Sequence, residues 1–126
     1  MRVFKTRAFA RFARRERIDD VALGDAVSRA ERGQIDADLG GGVIKQRVAR
    51  PGAGRSGGFR TAIAYQAKEI SVFLYGFAKN ERDNISSAEL KDLRKAARFY
   101  FRLTHEDLEA AVVAGTLMEI RDAQKI

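Results

Sequence analysis

The sequence predicts an α+β fold: a small antiparallel meander sheet with two N-terminal helices before it and a C-terminal helix packed on it. Three observations carry this reading. Two alternating segments, Val43 to Ala49 and Phe59 to Ala67, flank a glycine-rich stretch. A continuous apolar run, Ile70 to Phe77, follows after a tight turn at Lys68 and Glu69. On either side of this block, apolar residues recur at helical spacing behind good capping residues.

Taken in order, Val3, Phe4 and Lys5 suit a short opening strand. Ala8 to Glu16 reads as a helix, with Phe9, Phe12 and Ala13 on one side. Asp19 or Asp20 caps a second helix, whose apolar side is Val21, Leu23, Ala26, Val27 and Ala30, and Gly33 stops it. Asp36 to Gly42 reads as a connector. On the first meander strand Val43, Lys45 and Arg47 share one side, and Ile44, Gln46 and Val48 the other. Pro51 to Gly58 reads as the turn. On the next strand Phe59, Thr61, Ile63 and Tyr65 face away from Arg60, Ala62 and Ala64. Ile70 to Phe77 has the unbroken apolar character of a central strand.

Ser86-Ser87-Ala88-Glu89 matches a capping box. The helix it opens has Leu90, Leu93, Ala97, Tyr100 and Phe101 on one stripe, opposite Lys91, Arg94, Lys95, Arg98 and Arg102. Thr104 caps a further helix, His105 to Ala114, which Gly115 ends; Leu117 to Ile120 suits either a last strand or a helical tail. A length of 126 residues suits one domain, 1–126, with one modest core. Hydrophobic residues make up 45%, which excludes a disordered chain. No apolar run is long enough to cross a membrane, and Phe4, Phe9 and Phe12 alternate with arginines rather than forming a signal-peptide core. The chain has no cysteine, hence no disulfide framework and no thiolate metal site. These features favour the cytoplasm.

Charge is distributed in blocks. The net charge is +7, from 24 Lys+Arg against 17 Asp+Glu. Residues 1–17 carry seven cations and one acid, residues 18–42 six acids and two cations, and residues 85–103 five cations and two acids. Between Val43 and Thr61 stand Lys45, Arg47, Arg50, Arg55 and Arg60, with no acid. Lys45 and Arg47 project together, and Arg60 on the return strand can join them. Like charges facing one another across a sheet are destabilising. Such a cluster therefore points to an anionic partner, phosphate above all.

Other motifs say less. Gly52-Ala53-Gly54-Arg55-Ser56-Gly57 has the spacing of a dinucleotide fingerprint, but it joins two strands and opens no helix. Arg55 and Ser56 at its tip remain candidates for touching a nucleic-acid backbone. His105, the only histidine, stands among acids in the first turn of a helix and reads as surface decoration. The acids are scattered, which offers no metal set, and no Ser-His-Asp or Cys-His arrangement can be assembled. Lys79 to Asn84 follows the central strand directly, a position that serves a turn or a site equally well.

Three segments, KQRVAR from Lys45, SGGFR from Ser56 and YGFAKNERDNIS from Tyr75, stand in the order helix, helix, meander, helix. Together they resemble the RelE/HigB family of toxin–antitoxin toxins, in a HigB-like branch. The resemblance covers about residues 4–103, its specific part being Lys45 to Asn84; residues 104–126 read as a helical C-terminal extension that it does not explain. It implies a small cytoplasmic endoribonuclease that enters the ribosome, cuts messenger RNA there and is neutralised by a cognate antitoxin, commonly a helix-turn-helix protein. No cofactor, metal or membrane is implied. In such enzymes the ribose 2′-OH attacks the adjacent phosphate, served by lysines and arginines.

Carried over by position, Lys45 is the candidate general base and Arg47 the second basic residue. Arg60 matches the signature arginine that holds the scissile phosphate. Lys79 matches the strand-end lysine. Arg50, Arg55, Ser56, Asn80 and Arg82 are the candidate RNA or phosphate contacts. Two departures stand out: Asn80 replaces an arginine found in some members, and Ser86 a tyrosine that would stack a base. Two other readings stay open. One shares the fold: a ParE-like toxin acting on DNA gyrase without RNA cleavage, whose relatives tend to lack the basic set. The other is a non-enzymatic nucleic-acid-binding module.

Overall fold

The computed structural model describes residues 1–50, 54–79 and 84–121, with backbone alone at 54–57. Its elements run β1 (Arg2–Thr6), α1 (Arg7–Arg15), α2 (Asp20–Glu31), β2 (Ala37–Gly40), β3 (Val43–Arg50), β4 (Gly54–Gln66), β5 (Ile70–Ala78), α3 (Ser87–Phe101), α4 (His105–Ala114) and β6 (Leu117–Glu119). The strands form one sheet in the order β2-β3-β4-β5-β1-β6. Antiparallel pairing of β3, β4 and β5 is the expected meander. β1 lies parallel to β5, so the sheet is mixed.

The caps form as the sequence indicates. Thr6 and Asp19 accept from the backbone N–H groups of Phe9 and Ala22 at 3.1 and 2.9 Å. Reciprocal capping boxes open α3 (Ser86 with Glu89) and α4 (Thr104 with Asp107). The strand alternation also holds. On one face α1 and α2 bury Phe9, Phe12, Leu23 and Val27 against Ile44, Val48, Phe59, Ile63 and Phe73. On the other, Ala97 of α3 and Leu108 of α4 cover Val43, Ala62, Ala64 and Val72. The sheet is thus the middle of three layers.

Three segments depart from the expected elements. The connector 36–42 contains β2, which folds back through the glycine triplet and pairs Ala37 with Lys45. Its four residues are too few and too polar to show a strand period. β4 begins inside the expected turn, at Gly54 opposite Arg50. Gly58 permits this, because a Cβ there would stand 2.2 Å from the Val48 carbonyl oxygen, where the β3–β4 register shifts. The expected helical extension after Leu103 is instead α4 followed by β6, which pairs with β1. The outer edge of β1 would otherwise leave a row of backbone groups unpaired; Ile120 N–H donates to Val3 C=O at 2.8 Å. Arg2 fastens this corner with paired bonds to Glu119, both 3.0 Å, and one to Glu109 at 2.5 Å.

Two polar side chains tie the helices to the sheet. Gln46 lies on the apolar side of β3 and is fully buried. Its amide donates to the carbonyls of Ala26 (2.9 Å) and Gln34 (3.2 Å), and its oxygen accepts from Asp36 N–H at 2.7 Å. Glu31, at the end of α2, accepts from the Tyr65 hydroxyl and from Lys68 N–H in the β4–β5 turn. Burial first, then this carboxylate, raises the Tyr65 pKa. Gly76 on β5 lies under Phe12, and a Cβ there would meet the ring at 2.4 Å.

Gln46→Leu keeps the volume but strands three backbone groups, and should cost about 2–4 kcal/mol in urea unfolding. Gly76→Val should cost more than Gln46→Leu in the same assay, since α1 must lift from β5 to admit it.

Candidate functional site

The register of β3, β4 and β5 places side chains on the α3 side of the sheet as two rows of three. Arg47 stands opposite Arg60, and Arg60 opposite Phe77. One step along, Lys45 stands opposite Ala62, and Ala62 opposite Tyr75. The small Ala62 is a low floor between Lys45 and Tyr75, and the Tyr75 and Phe77 rings stand 6.0 Å apart along one wall. The helices cover the Val43–Ala64 end of this face and leave the Arg47 end open, where Arg47 is exposed and Lys45 half-buried.

Side chains satisfy the β3 edge next to Arg47. Asp36 accepts from Arg47 N–H at 2.6 Å, and the Arg29 guanidinium donates to the Arg47 carbonyl. Both backbone groups of Arg47 therefore point away from β4. That makes Arg47–Arg60 a non-hydrogen-bonded pair, the closer of the two antiparallel kinds, with Cα atoms about 4.5 Å apart. Two guanidinium stems are thus held side by side.

Among the described residues, none of Lys45, Arg47 and Arg60 forms an ion pair with a carboxylate. Arg60 is only 7% exposed, and its Nη1 is buried without a hydrogen-bond partner among those residues. Burial, and then the neighbouring Arg47 charge, pull its pKa below the ordinary arginine value, while Asp36 opposes them. Arginine still remains cationic across the accessible pH range. The result is a buried, under-solvated positive charge beside a second one, in position to receive an anion with several acceptor oxygens.

The other sequence candidates fall elsewhere. Arg50 sits on the α1 side, 3.8 Å from Glu16 and with its guanidinium carbon 5.0 Å from the Phe59 ring centroid, and does not join the cluster. Strand alternation alone puts it there, on the side of Ile44, Gln46 and Val48. Lys79 is exposed and directly follows β5. Asn80 and Arg82 lie outside the described residues, as do the side chains of Arg55 and Ser56. Gly52 and Ala53 of the Gly52–Gly57 motif lie outside them too, and the rest of the motif opens β4 rather than a helix. Ser86 is the α3 cap, engaged with Glu89. His105 is exposed, with its Nδ1 3.0 Å from Arg2 Nη1. Sequence reasoning missed Tyr75, Phe77 and Ala62 as members of the site. The Tyr-x-Phe spacing on one strand was the available signal, and only the register showed that these rings face the cations.

Among the described residues no group of three or more His, Cys, Asp and Glu is placed to hold a metal ion, and no helix is long and apolar enough to cross a membrane. Fold and site together define a small α+β protein with a cross-strand cationic pair on its sheet that has no ion-pair partner among the described residues. A family model described as the RelE toxin of the RelE/RelB toxin-antitoxin system matches residues 1–120. The chain belongs to this toxin family, and the match takes in α4 and β6 as well as the meander. The family implies a RelB-type antitoxin as partner. No curated protein matches the chain.

Because Arg60 is buried with no ion pair among the described residues, Arg60→Met should leave the thermal midpoint unchanged or raise it, by up to about 1 kcal/mol of stability. A loss above about 2 kcal/mol would mean that the guanidinium is structurally paired.

Proposed function

We propose that the protein is a metal-independent endoribonuclease toxin that cuts messenger RNA on the ribosome and is neutralised in the cytoplasm by its cognate antitoxin, of the helix-turn-helix kind. The observation that supports this most is the Arg47–Arg60 pair beside Lys45, none of which is ion-paired with a carboxylate among the described residues. Cations at the site attract a phosphodiester and repel a divalent metal. Membership of the RelE toxin family supplies the context.

In this reading the scissile phosphate lies against Arg60 and Arg47. Lys45, as the general base, takes the proton of the ribose 2′-OH, and the 2′-oxygen attacks phosphorus. A bond from O2′ to phosphorus forms, and the bond from phosphorus to O5′ breaks. The products are a 2′,3′-cyclic phosphate and a 5′-hydroxyl, whose proton Lys79 supplies. The two arginines meet the charge that grows on the equatorial oxygens, where preorganised donors contribute most. Tyr75 replaces, from the sheet, the base-stacking surface that Ser86 does not offer. The exposed cations of α3 contact ribosomal RNA, so association weakens steeply with salt. Gyrase-directed relatives tend to lack such a basic set, so Lys45, Arg47 and Arg60 argue against that reading.

Lys45→Ala and Arg60→Ala should each lower cleavage at least about 100-fold in transcript-end mapping during translation. Circular dichroism should be unchanged in both. Undiminished cutting and growth arrest by both variants would overturn the assignment, and DNA damage with intact transcripts would point to gyrase.

A further inference from the structure

A cavity of about 340 Å³ lies round the sheet edge from the cationic pair, lined by Arg29, Gln34, Ile35, Asp36 and Arg47. Gln34, Ile35, Asp36 and Arg47 line it as exposed residues, in front of one buried side chain. Arg29, buried on α2, forms the back wall. Its Nε donates to Asp25 at 3.1 Å, one Nη lies 3.8 Å from Asp36, and the other donates to the Arg47 carbonyl. That network fixes Asp36, whose Oδ2 is also held by Arg47 N–H at 2.6 Å. Asp36 Oδ1 accepts no hydrogen bond among the described residues. Ile35 is a large apolar side chain left 38% exposed at the same cavity.

The lining selects its occupant. An inorganic anion would face the Asp36 carboxylate, and an aliphatic group would leave Oδ1 unpaired. What fits is a flat group with an apolar face for Ile35 and a hydrogen-bond donor on its edge for Oδ1. A nucleobase bearing an exocyclic amino group has both, and carboxylates accept from such groups in nucleic-acid recognition. Uracil instead presents carbonyl oxygens flanking its single N–H. Arg47 borders both the cavity and the phosphate site, so one nucleotide can reach from one to the other.

We infer that this cavity is a base-selecting subsite, in which Asp36 favours adenine, cytosine or guanine over uracil in a nucleotide adjoining the cut. This rests on the nuclease reading and adds to it a residue that sets specificity rather than rate. Asp36→Asn is the incisive variant. Its side-chain carbonyl can keep the Arg47 N–H bond while its NH₂ replaces Oδ1, turning an acceptor into a donor within the same volume.

The experiment maps transcript ends for wild type and Asp36→Asn during translation, and compares base frequencies at the positions beside the cut. Binding of non-cleavable 2′-deoxy trinucleotides that differ only at that base is measured in parallel. Wild type should disfavour uracil about tenfold or more at one position, the worth of one hydrogen bond to a charged acceptor. Asp36→Asn should abolish or reverse that bias in both assays while still cutting. Cutting without a bias against uracil, or a bias unchanged in Asp36→Asn, overturns the subsite and leaves the nuclease standing. Absence of cutting by wild type, with no base preference in binding, removes both.

Discussion

The structure depends on how one strand edge is satisfied. Beyond Lys45, β3 has no strand on its outer side, yet its backbone groups cannot be left unpaired against α2. Side chains replace the missing strand: Asp36 takes the Arg47 N–H, Arg29 serves the Arg47 carbonyl, and Gln46 ties the strand to Ala26, Gln34 and Asp36. This clamp sets the hydrogen-bonding phase of β3, which decides that Arg47 and Arg60 form the close kind of cross-strand pair. It also fixes the position of α2 and the walls of the cavity beside the pair. Core packing, strand register and the electrostatics of the site therefore meet at three consecutive residues.

The cationic pair runs against stability. Like charges across a sheet repel, and a guanidinium buried without a partner is costly to keep. Acids could have relieved both. The chain has 17 of them, and among the described residues they pair elsewhere: Glu119 and Glu109 with Arg2, Asp20 with Lys5, Glu16 with Arg50. Among the described acids Asp36 acts on the Arg60 charge, and its carboxylate is turned to the edge clamp. The described ion pairs thus stitch the termini and helices to the sheet rather than neutralising the cationic pair. Arg50 shows how this is divided: strand alternation puts it on the opposite face from Lys45 and Arg47, beside Glu16 and Phe59.

The C-terminal segment belongs to the same logic. β1 lies inside the sheet only because β6 covers its outer edge and Arg2 holds β6 and α4 in place. With β1 so fixed, α1 leaves its end at the angle that lays Phe12 over Gly76 and against Phe59. The aromatic packing behind the site is thereby linked to residues after Thr104.

The sequence by itself determined the elements with strong local signals: the capped helices, the meander, and the sides of β3 and β4. Each follows from periodicity or from a hydrogen bond made within a few residues. It also brought forward Lys45, Arg47 and Arg60, because alternation and the absence of acids are visible in a string. Only the tertiary structure decided β2, β6 and the place of β1, which exist through pairing with distant strands and have little pattern of their own. The same holds for Tyr75, Ala62 and Asp36, whose roles depend on which residue lies opposite or beside them. Cross-strand register and edge satisfaction are long-range properties, fixed only when the whole sheet closes around its core.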